Sequence, residues 1–360
     1  MANQLIRQGD TTGTAITRLA MSTLGLGFVA TAVRTDGGKL KVQVWKVSDG
    51  SGGAGAQQIE NLGHASGDAV SRVAVVTLAP DLFVTASRDG NDKLSLTAWK
   101  VAQNGNQVTP QDTVTDVAAD EVAVCVARGL VVTAIRTGGG KLKLTAWKVA
   151  ADGSTIERRG VATDIDIDKV AVVGTKYGVV TAVRKAGGDL GVISWSVSSD
   201  GWQVERRDDA SAGAVSEVVG AYFTSLVDPG LVNERAVIAT AVRDDSGGLK
   251  VIDWSVGMDT TMTIHRLSSA PGGASVSKVA IGRVGTAFET DRLVTGVRDG
   301  GGNLELRTWT TDSSQQLALE DTAPAGPADE VALAEVYQTH LVSAIRGGQG
   351  KLKLIGWKHG

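Results

Sequence analysis

The sequence predicts an all-β fold made of seven copies of one unit, and three observations support this prediction. Seven arginines are each followed by a tryptophan eleven residues later, and this spacing never varies. The segments around each pair are rich in β-branched residues or alternate polar with apolar residues, as strands do. Glycines between the two segments predict a tight turn. The pairs are Arg34 and Trp45, Arg88 and Trp99, Arg136 and Trp147, Arg184 and Trp195, Arg243 and Trp254, Arg298 and Trp309, and Arg346 and Trp357.

The third copy illustrates the predicted strands. Val131–Ile135 is rich in β-branched residues, Gly138–Gly140 supplies a turn, and Lys141–Trp147 alternates polar with apolar residues. A short apolar segment headed by Asp120 precedes this hairpin, and a more polar segment, Thr155–Arg159, follows it. Four strands in about 50 residues resemble one blade of a β-propeller. The resemblance implies a seven-bladed β-propeller with four antiparallel strands per blade.

The resemblance is one of architecture and covers the whole chain. The copies lack the Gly-His turn and the terminal Trp-Asp pair of WD repeats. Trp45 also lies too far from Thr35–Gly38 for the Asp box of sialidases. Fold alone does not assign a function, so function has to be argued from sites.

The two ends of the chain together complete one predicted blade. The last copy stops directly after its third strand, and Asn3–Gln8 resembles the fourth strands of other copies, such as Gln203–Arg207. We therefore expect residues 3–8 to close blade seven, which leaves no open sheet edge. The chain is then one domain, residues 1–360, with blades at about 14–63, 68–113, 117–160, 165–208, 214–267, 275–320 and 328–358.

Composition narrows the classes of partner and compartment. The net charge is -3 and the pI is about 5.9, with interspersed charges, which argues against nucleic-acid binding. The single cysteine, Cys125, excludes an internal disulfide framework. No apolar run is long enough for membrane insertion. The cytoplasm is the default expectation, although a secreted protein whose leader had been removed would look the same.

Three copies carry insertions in connections on one face of the predicted ring. Ser48–Ala56 lengthens the connection to the fourth strand of blade one, and Tyr222–Arg235 and Val284–Arg292 lengthen connections in blades five and six. Because loops often carry sites, this face is the predicted binding surface. The candidate binding residues are Tyr222, Phe223, Asp228, Asn233, Glu234, Arg235, Glu289 and Arg292.

The seven Arg/Trp pairs admit two interpretations. As a lectin site, each arginine would hydrogen-bond sugar hydroxyls and each tryptophan would stack on a sugar ring between blades. As packing, each tryptophan would fill the space between blades and each arginine would bind the polar residue that heads the first strand. Antiparallel pairing brings these positions together, so we expect Arg136 near Asp120 and Arg184 near Asp168.

Charged residues near the start of each first strand nearly alternate in sign around the ring, which predicts ion pairs between neighbouring blades at the channel mouth. The remainder of these strands is apolar or small, so no catalytic residue, metal or cofactor is predicted there. The charged residues are Arg18, Arg72, Glu121, Lys169, Glu217, Lys278 and Glu330.

Three functional hypotheses remain open from the sequence. The first is a non-catalytic binding or scaffold protein that recognises a macromolecular partner, a protein or a glycan, through loops on one face. The first alternative is a multivalent carbohydrate-binding lectin that uses the Arg/Trp pairs. The second is an enzyme with a single site in the blade five and six loops, where Glu234, Asp228 or Tyr222 would act as acid or base.

Overall fold

The computed structural model describes residues 4–25, 27–50, 55–226, 235–257, 259–273, 275–284, 292–311, 316–337 and 339–359. These residues form strands and turns, and no helix among them is long and apolar enough to cross a membrane. The strands are β1 (Leu5–Gly25), β2 (Phe28–Thr35), β3 (Lys39–Gly50), β4 (Gly55–Ala79), β5 (Leu82–Asp89), β6 (Lys93–Val101), β7 (Val108–Ala127), β8 (Leu130–Thr137), β9 (Lys141–Val149), β10 (Ile156–Gly174), β11 (Gly178–Lys185), β12 (Asp189–Val197), β13 (Val204–Leu226), β14 (Arg235–Asp244), β15 (Leu249–Gly257), β16 (Ile264–Pro271), β17 (Val276–Val284), β18 (Arg292–Asp299), β19 (Asn303–Thr311), β20 (Leu317–Tyr337), β21 (His340–Gly347) and β22 (Lys351–His359).

Each Arg/Trp copy forms an antiparallel hairpin. In the third copy, β8 pairs with β9 from Val131 opposite Trp147 to Arg136 opposite Leu142. The turn between them closes with a hydrogen bond from the Gly140 amide to the Thr137 carbonyl, at 2.8 Å. Gly140 has a φ of 83°, a left-handed conformation that explains the recurrent glycine at this position. These features confirm the all-β, antiparallel expectation.

Long strands connect successive hairpins, which the sequence did not predict. The first part of β7, up to Ala118, pairs with β6, and the second part, from Ala119, pairs with β8. The expected fourth strand of one copy and first strand of the next are therefore one continuous strand, and irregularities in register mark the change of partner. Among the described residues, the connection formed by β16 and β17 is the only one that is split into two strands.

The N-terminal strand joins the two ends of the chain. The first part of β1 pairs with β22, from Leu5 opposite His359 to Ala15 opposite Lys351. The second part of β1 pairs with β2. The expected pairing of the N-terminal strand with the last copy is thus present, and it extends beyond the predicted residues 3–8.

The hydrophobic core lies between neighbouring hairpins. Buried residues form clusters that each contain one tryptophan of the Arg/Trp pairs. The cluster around Trp195, for example, combines Leu142 and Leu144 of one hairpin with Val179 and Val183 of the next. Because each cluster is shared by two hairpins, the copies stabilise one another in sequence around the fold.

Candidate functional site

The predicted loop residues fall largely outside the described part of the chain. Asp228, Asn233, Glu234 and Glu289 belong to segments that the structure does not describe. Tyr222 and Phe223 were expected in a loop, but strand β13 continues through them, and they pair with Ala239 and Ile238 of β14. Arg235 begins β14 opposite Leu226. The insertion is therefore shorter than predicted, because the strand ladder extends into it.

Arg292 is the one predicted binding residue whose side chain can be located. It lies at the start of β18, and its Nε and Nη2 atoms donate to the two carboxylate oxygens of Glu320, at 2.6 and 3.2 Å. Both side chains are at most 20% exposed. This two-point contact ties β18 to β20 and leaves the guanidinium with less capacity for a ligand.

The tryptophans of the Arg/Trp pairs are core residues. All seven are at most 2% exposed. Each indole Nε1 donates to a hydroxyl fourteen residues earlier, as Trp147 does to Thr133 at 3.0 Å and Trp357 to Ser343 at 2.9 Å. A buried ring offers no face to a sugar, so these residues do not form the exposed platforms that the lectin interpretation needs.

The arginines of the pairs tie strands together. Arg136 Nη1 donates to Asp120, and Arg184 Nη1 donates to Asp168, as the antiparallel pairing predicts. Arg136 Nε also donates to the Ile167 carbonyl of the next copy, at 2.7 Å. Serine or threonine replaces the aspartate in other copies, as in the contacts of Arg34 with Thr17, Arg88 with Ser71, Arg243 with Ser216 and Arg298 with Ser277.

Charged residues near the starts of the first strands form ion pairs between copies, as expected. Glu121 accepts hydrogen bonds from Arg72 at 3.2 Å and from Lys169 at 3.0 Å. Glu330 is arranged in the same way, with Arg18 at 2.8 Å and Lys278 at 3.7 Å. A cavity of about 300 Å³ opens beside Glu121. Every charge that lines it already has a partner within the protein.

Two groups of aromatic and cationic side chains lie at the ends of the hairpins opposite to the glycine turns. We call them together the Trp202 patch; one group is Arg159 and Trp202, and the other is Arg128, Lys176 and Tyr177. Trp202 is 53% exposed, and the Arg159 guanidinium lies 4.6 Å from its ring centroid. Arg128 and Lys176 flank the Tyr177 ring, at 6.0 and 5.4 Å from its centroid. Cations over aromatic faces give this surface a defined shape and charge.

A tight turn fixes the position of Trp202. The Asp200 carboxylate accepts hydrogen bonds from the Ser198 hydroxyl at 2.5 Å and from the Trp202 amide at 3.1 Å. These bonds hold the pKa of Asp200 below its ordinary value. The Gly201 carbonyl accepts from the Gly160 amide at 2.8 Å, which anchors the turn to the preceding copy. The exposed ring therefore stands on a rigid support.

Comparison with known proteins establishes the type of fold. No known family is recognised in the chain, and no curated protein is detectably similar to it. Sqt1 of Saccharomyces cerevisiae matches over 100% of both chains, with a TM-score of 0.56 and 11% identity. A "putative 6-phosphogluconolactonase" from Bacteroides uniformis matches over 85% of both chains, with a TM-score of 0.59 and 12% identity. A similarly described Bacteroides fragilis protein gives 0.57 and 12%. These structures are β-propeller-type folds.

The chain has a β-propeller-type fold. The low identities mean that the likeness concerns the fold alone, and the activity of the propeller has to be argued from its own surfaces. Within the residues that the structure describes, no group of three or more His, Cys, Asp or Glu side chains is placed to hold a metal ion.

Trp202 was missed in the sequence, although a signal for it exists. It is the only one of the eight tryptophans that does not follow an arginine by eleven residues. The same turn in the preceding copies carries Ser154 and Asn106 at this position. A residue that departs from a repeat at an exposed turn is not required by the packing of the repeat, which makes it a candidate for recognition.

Proposed function

We propose that the chain is a non-catalytic binding protein, a closed ring of seven blades with four strands each. The recurrent pairing of hairpins with long strands supports the four-stranded blade. The Trp-centred clusters and the β1–β22 pairing support seven blades and ring closure. In this arrangement residues 1–360 form one domain, with the blade limits expected from the sequence.

The ring recognises a protein partner through the end that carries the Trp202 patch. The observation behind this proposal is the exposure of Trp202, in contrast to the burial of the other seven tryptophans. Tryptophan, tyrosine and arginine dominate the binding energy of protein interfaces, and the patch combines all three. Arg159 is paired with Glu157, whereas the exposed Arg128 favours a partner surface with acidic groups beside an apolar pocket.

The predicted loop residues belong to the same proposed surface. The connections from β7 to β8 and from β10 to β11, which carry Arg128 and Lys176, join first to second strands, as do the segments 227–234 and 285–291. Connections of this kind share one end of an antiparallel blade. Asp228, Asn233, Glu234 and Glu289, with Tyr222, Phe223 and Arg235 beside them, would then extend the surface around the ring.

The test compares Trp202→Ser with Ser154→Ala. Both changes lie at the same position of the same turn in adjacent copies, so they match in backbone context. The immobilised proteins are incubated with lysate of the organism's own cells, and retained proteins are quantified by mass spectrometry. We expect a partner that binds the wild type and Ser154→Ala but binds Trp202→Ser about 30-fold more weakly, the effect of losing an interface anchor. Equal retention by all three proteins would refute the proposed surface.

A further inference from the structure

A second candidate site lies between the first two blades, away from the Trp202 patch. A cavity of about 640 Å³ opens there, within the range of about 300–1,000 Å³ that is typical of small-molecule sites. We call it the Ser95 pocket. Hydroxyl groups dominate its walls: Ser66, Ser87, Ser95, Thr97, Thr113 and Thr115.

The pocket lies where three charged side chains that meet between blades two and three have no counterpart. In blade three, Lys143 Nζ lies 2.7 Å from Asp116 Oδ2, and both side chains are at most 8% exposed. Arg158 Nη1 lies 3.6 Å from the other oxygen of Asp116. Lys143 and Asp116 thus form a buried ion pair between blades two and three, and the half-exposed Arg158 lies at its edge.

Strand register identifies the corresponding residues of blade two. Ser95 lies opposite Thr115 as Lys143 lies opposite Thr163, so Ser95 takes the place of Lys143. Pro110 lies opposite Trp99, where Arg158 lies opposite Trp147. Gly67 corresponds to Asp116. Gly67 lies two residues before Ala69, which pairs with Lys39, and Asp116 lies two residues before Ala118, which pairs with Lys93 at the same position of the next hairpin.

Blade two is the exception among the seven copies. Three positions are compared: the seventh and the ninth residue after the repeat arginine, and the residue that pairs with the repeat tryptophan. Blade two has Ser95, Thr97 and Pro110 there, without a cation. Every other copy has Lys or Arg in at least one of these positions: Lys41, Lys143, Arg158, Arg206, Lys250, Arg266, Arg307, Lys353 and Arg7.

The polar groups of the pocket suit a ligand that is rich in hydroxyls. Hydroxyl side chains both donate and accept, as do the hydroxyls of a sugar. Thr97 and Thr113 lie 3.1 Å apart and can each rotate toward a ligand. Asp68 is exposed and forms no ion pair or hydrogen bond with a described residue, so its oxygens are available as acceptors.

The remaining walls of the pocket favour an uncharged sugar ring as the ligand. Pro110 is exposed and provides apolar surface that can contact the C–H groups of a sugar. The lining contains no Lys or Arg, and its carboxylates repel anions. Asp89 is committed to its own turn, since its Oδ1 accepts from the Asn91 and Lys93 amides at 2.8 and 2.9 Å.

We propose that the Ser95 pocket binds one ring of a neutral sugar. The site is single and uses hydroxyls in a groove, unlike a lectin site repeated at every Arg/Trp pair. It does not depend on the proposed protein-binding surface, because it lies along the groove beside the glycine turn of blade two, whereas the Trp202 patch lies at the other ends of the hairpins.

Isothermal titration calorimetry of the full chain tests this proposal. The probes are neutral monosaccharides, their methyl glycosides, neutral disaccharides and inositol, with glucosamine and glucose 6-phosphate as charged comparisons. We expect saturable binding of at least one neutral sugar. Methyl glycosides and disaccharides distinguish a free sugar from one at the end of a chain.

Two lysine variants complete the test. Ser95→Lys restores the residue that four other copies carry at this position, so the fold accommodates it while the pocket is filled. Val161→Lys adds the same charge at the exposed blade-three counterpart of Thr113, outside the pocket. We expect sugar binding at least about tenfold weaker in Ser95→Lys and unchanged in Val161→Lys. Absence of neutral-sugar binding, preference for a charged probe, or full binding by Ser95→Lys would overturn the proposal.

Discussion

Tryptophan occupies two environments in this propeller. Seven indoles are enclosed between hairpins, with their N–H groups bonded to Thr or Ser, while Trp202 stands on a turn with half of its surface exposed. The buried set satisfies both demands of an indole, apolar contact and a partner for its donor. For Trp202, a binding partner would supply the apolar contact and the hydrogen-bond acceptor.

This division predicts opposite effects on stability. Trp147→Ala removes a ring that is 2% exposed and should lower the free energy of unfolding by about 3–5 kcal/mol. Trp202→Ala should change it by no more than about 0.5 kcal/mol, because the ring is largely in solvent. Urea denaturation followed by circular dichroism measures both. A small loss of stability for Trp147→Ala would contradict the burial of its ring and would support the interpretation of the Arg/Trp pairs as exposed binding residues.

Asp253 is a buried carboxyl group, and the folded state favours its protonated form. It is 4% exposed in β15, and burial raises its pKa from 3.8 to about 6, partly offset by a hydrogen bond with Ser268. Because the pKa is higher in the folded state, folded molecules hold the proton more tightly than unfolded ones. The stability contributed by this proton is complete below about pH 4 and is lost as the pH rises through about 6.

Asp253→Asn should therefore stabilise the propeller at neutral pH. The raised pKa corresponds to roughly 3 kcal/mol at pH 7, and the amide avoids this cost while it can still hydrogen-bond to Ser268. The difference in unfolding free energy between variant and wild type should grow from about pH 4 to pH 7. Urea titrations at several pH values measure it. A difference that does not vary with pH would show that Asp253 titrates as an ordinary surface carboxylate.

At the level of strands, local signals were sufficient for the hairpins. The alternation in Lys141–Trp147 and the glycines before it predicted β8 and β9, and antiparallel pairing predicted the contact of Arg136 with Asp120. The continuous long strands were not predictable in the same way. A strand such as β7 changes its pairing partner halfway along. The burial pattern changes at that point, so the sequence predicts two separate strands there.

The candidate sites depend on three-dimensional neighbours, which is why the sequence located them poorly. The Ser95 pocket lies where three charged side chains from two blades have no counterpart, and only strand register relates them. Trp202 differs from its counterparts at a single turn position. Of the loop residues proposed from the sequence, Arg292 proved to be bound to Glu320, and Asp228, Asn233, Glu234 and Glu289 remain predictions.

For the molecule as a whole, we propose that the copies close into one ring. Each core cluster is shared by two hairpins, so an open array would expose a cluster at each end. The pairing of β1 with β22 removes those ends and also covers the free edge of β22. The proposed ring would hold the Trp202 patch and the Ser95 pocket in defined positions.

Disulfide formation between the two chain ends tests this closure directly. Ile6 pairs with Lys358, and both side chains are exposed, so Ile6→Cys with Lys358→Cys should oxidise to an intramolecular disulfide. Ile6→Cys with Lys148→Cys is the control, because Lys148 holds the same register position in the third copy, opposite Glu157. The native Cys125 is buried, and burial raises the pKa of its thiol, so it should not compete. Mass spectrometry of the oxidised proteins should find the disulfide in the first monomer and free thiols in the second; free thiols in both, or equal linkage in both, would contradict ring closure.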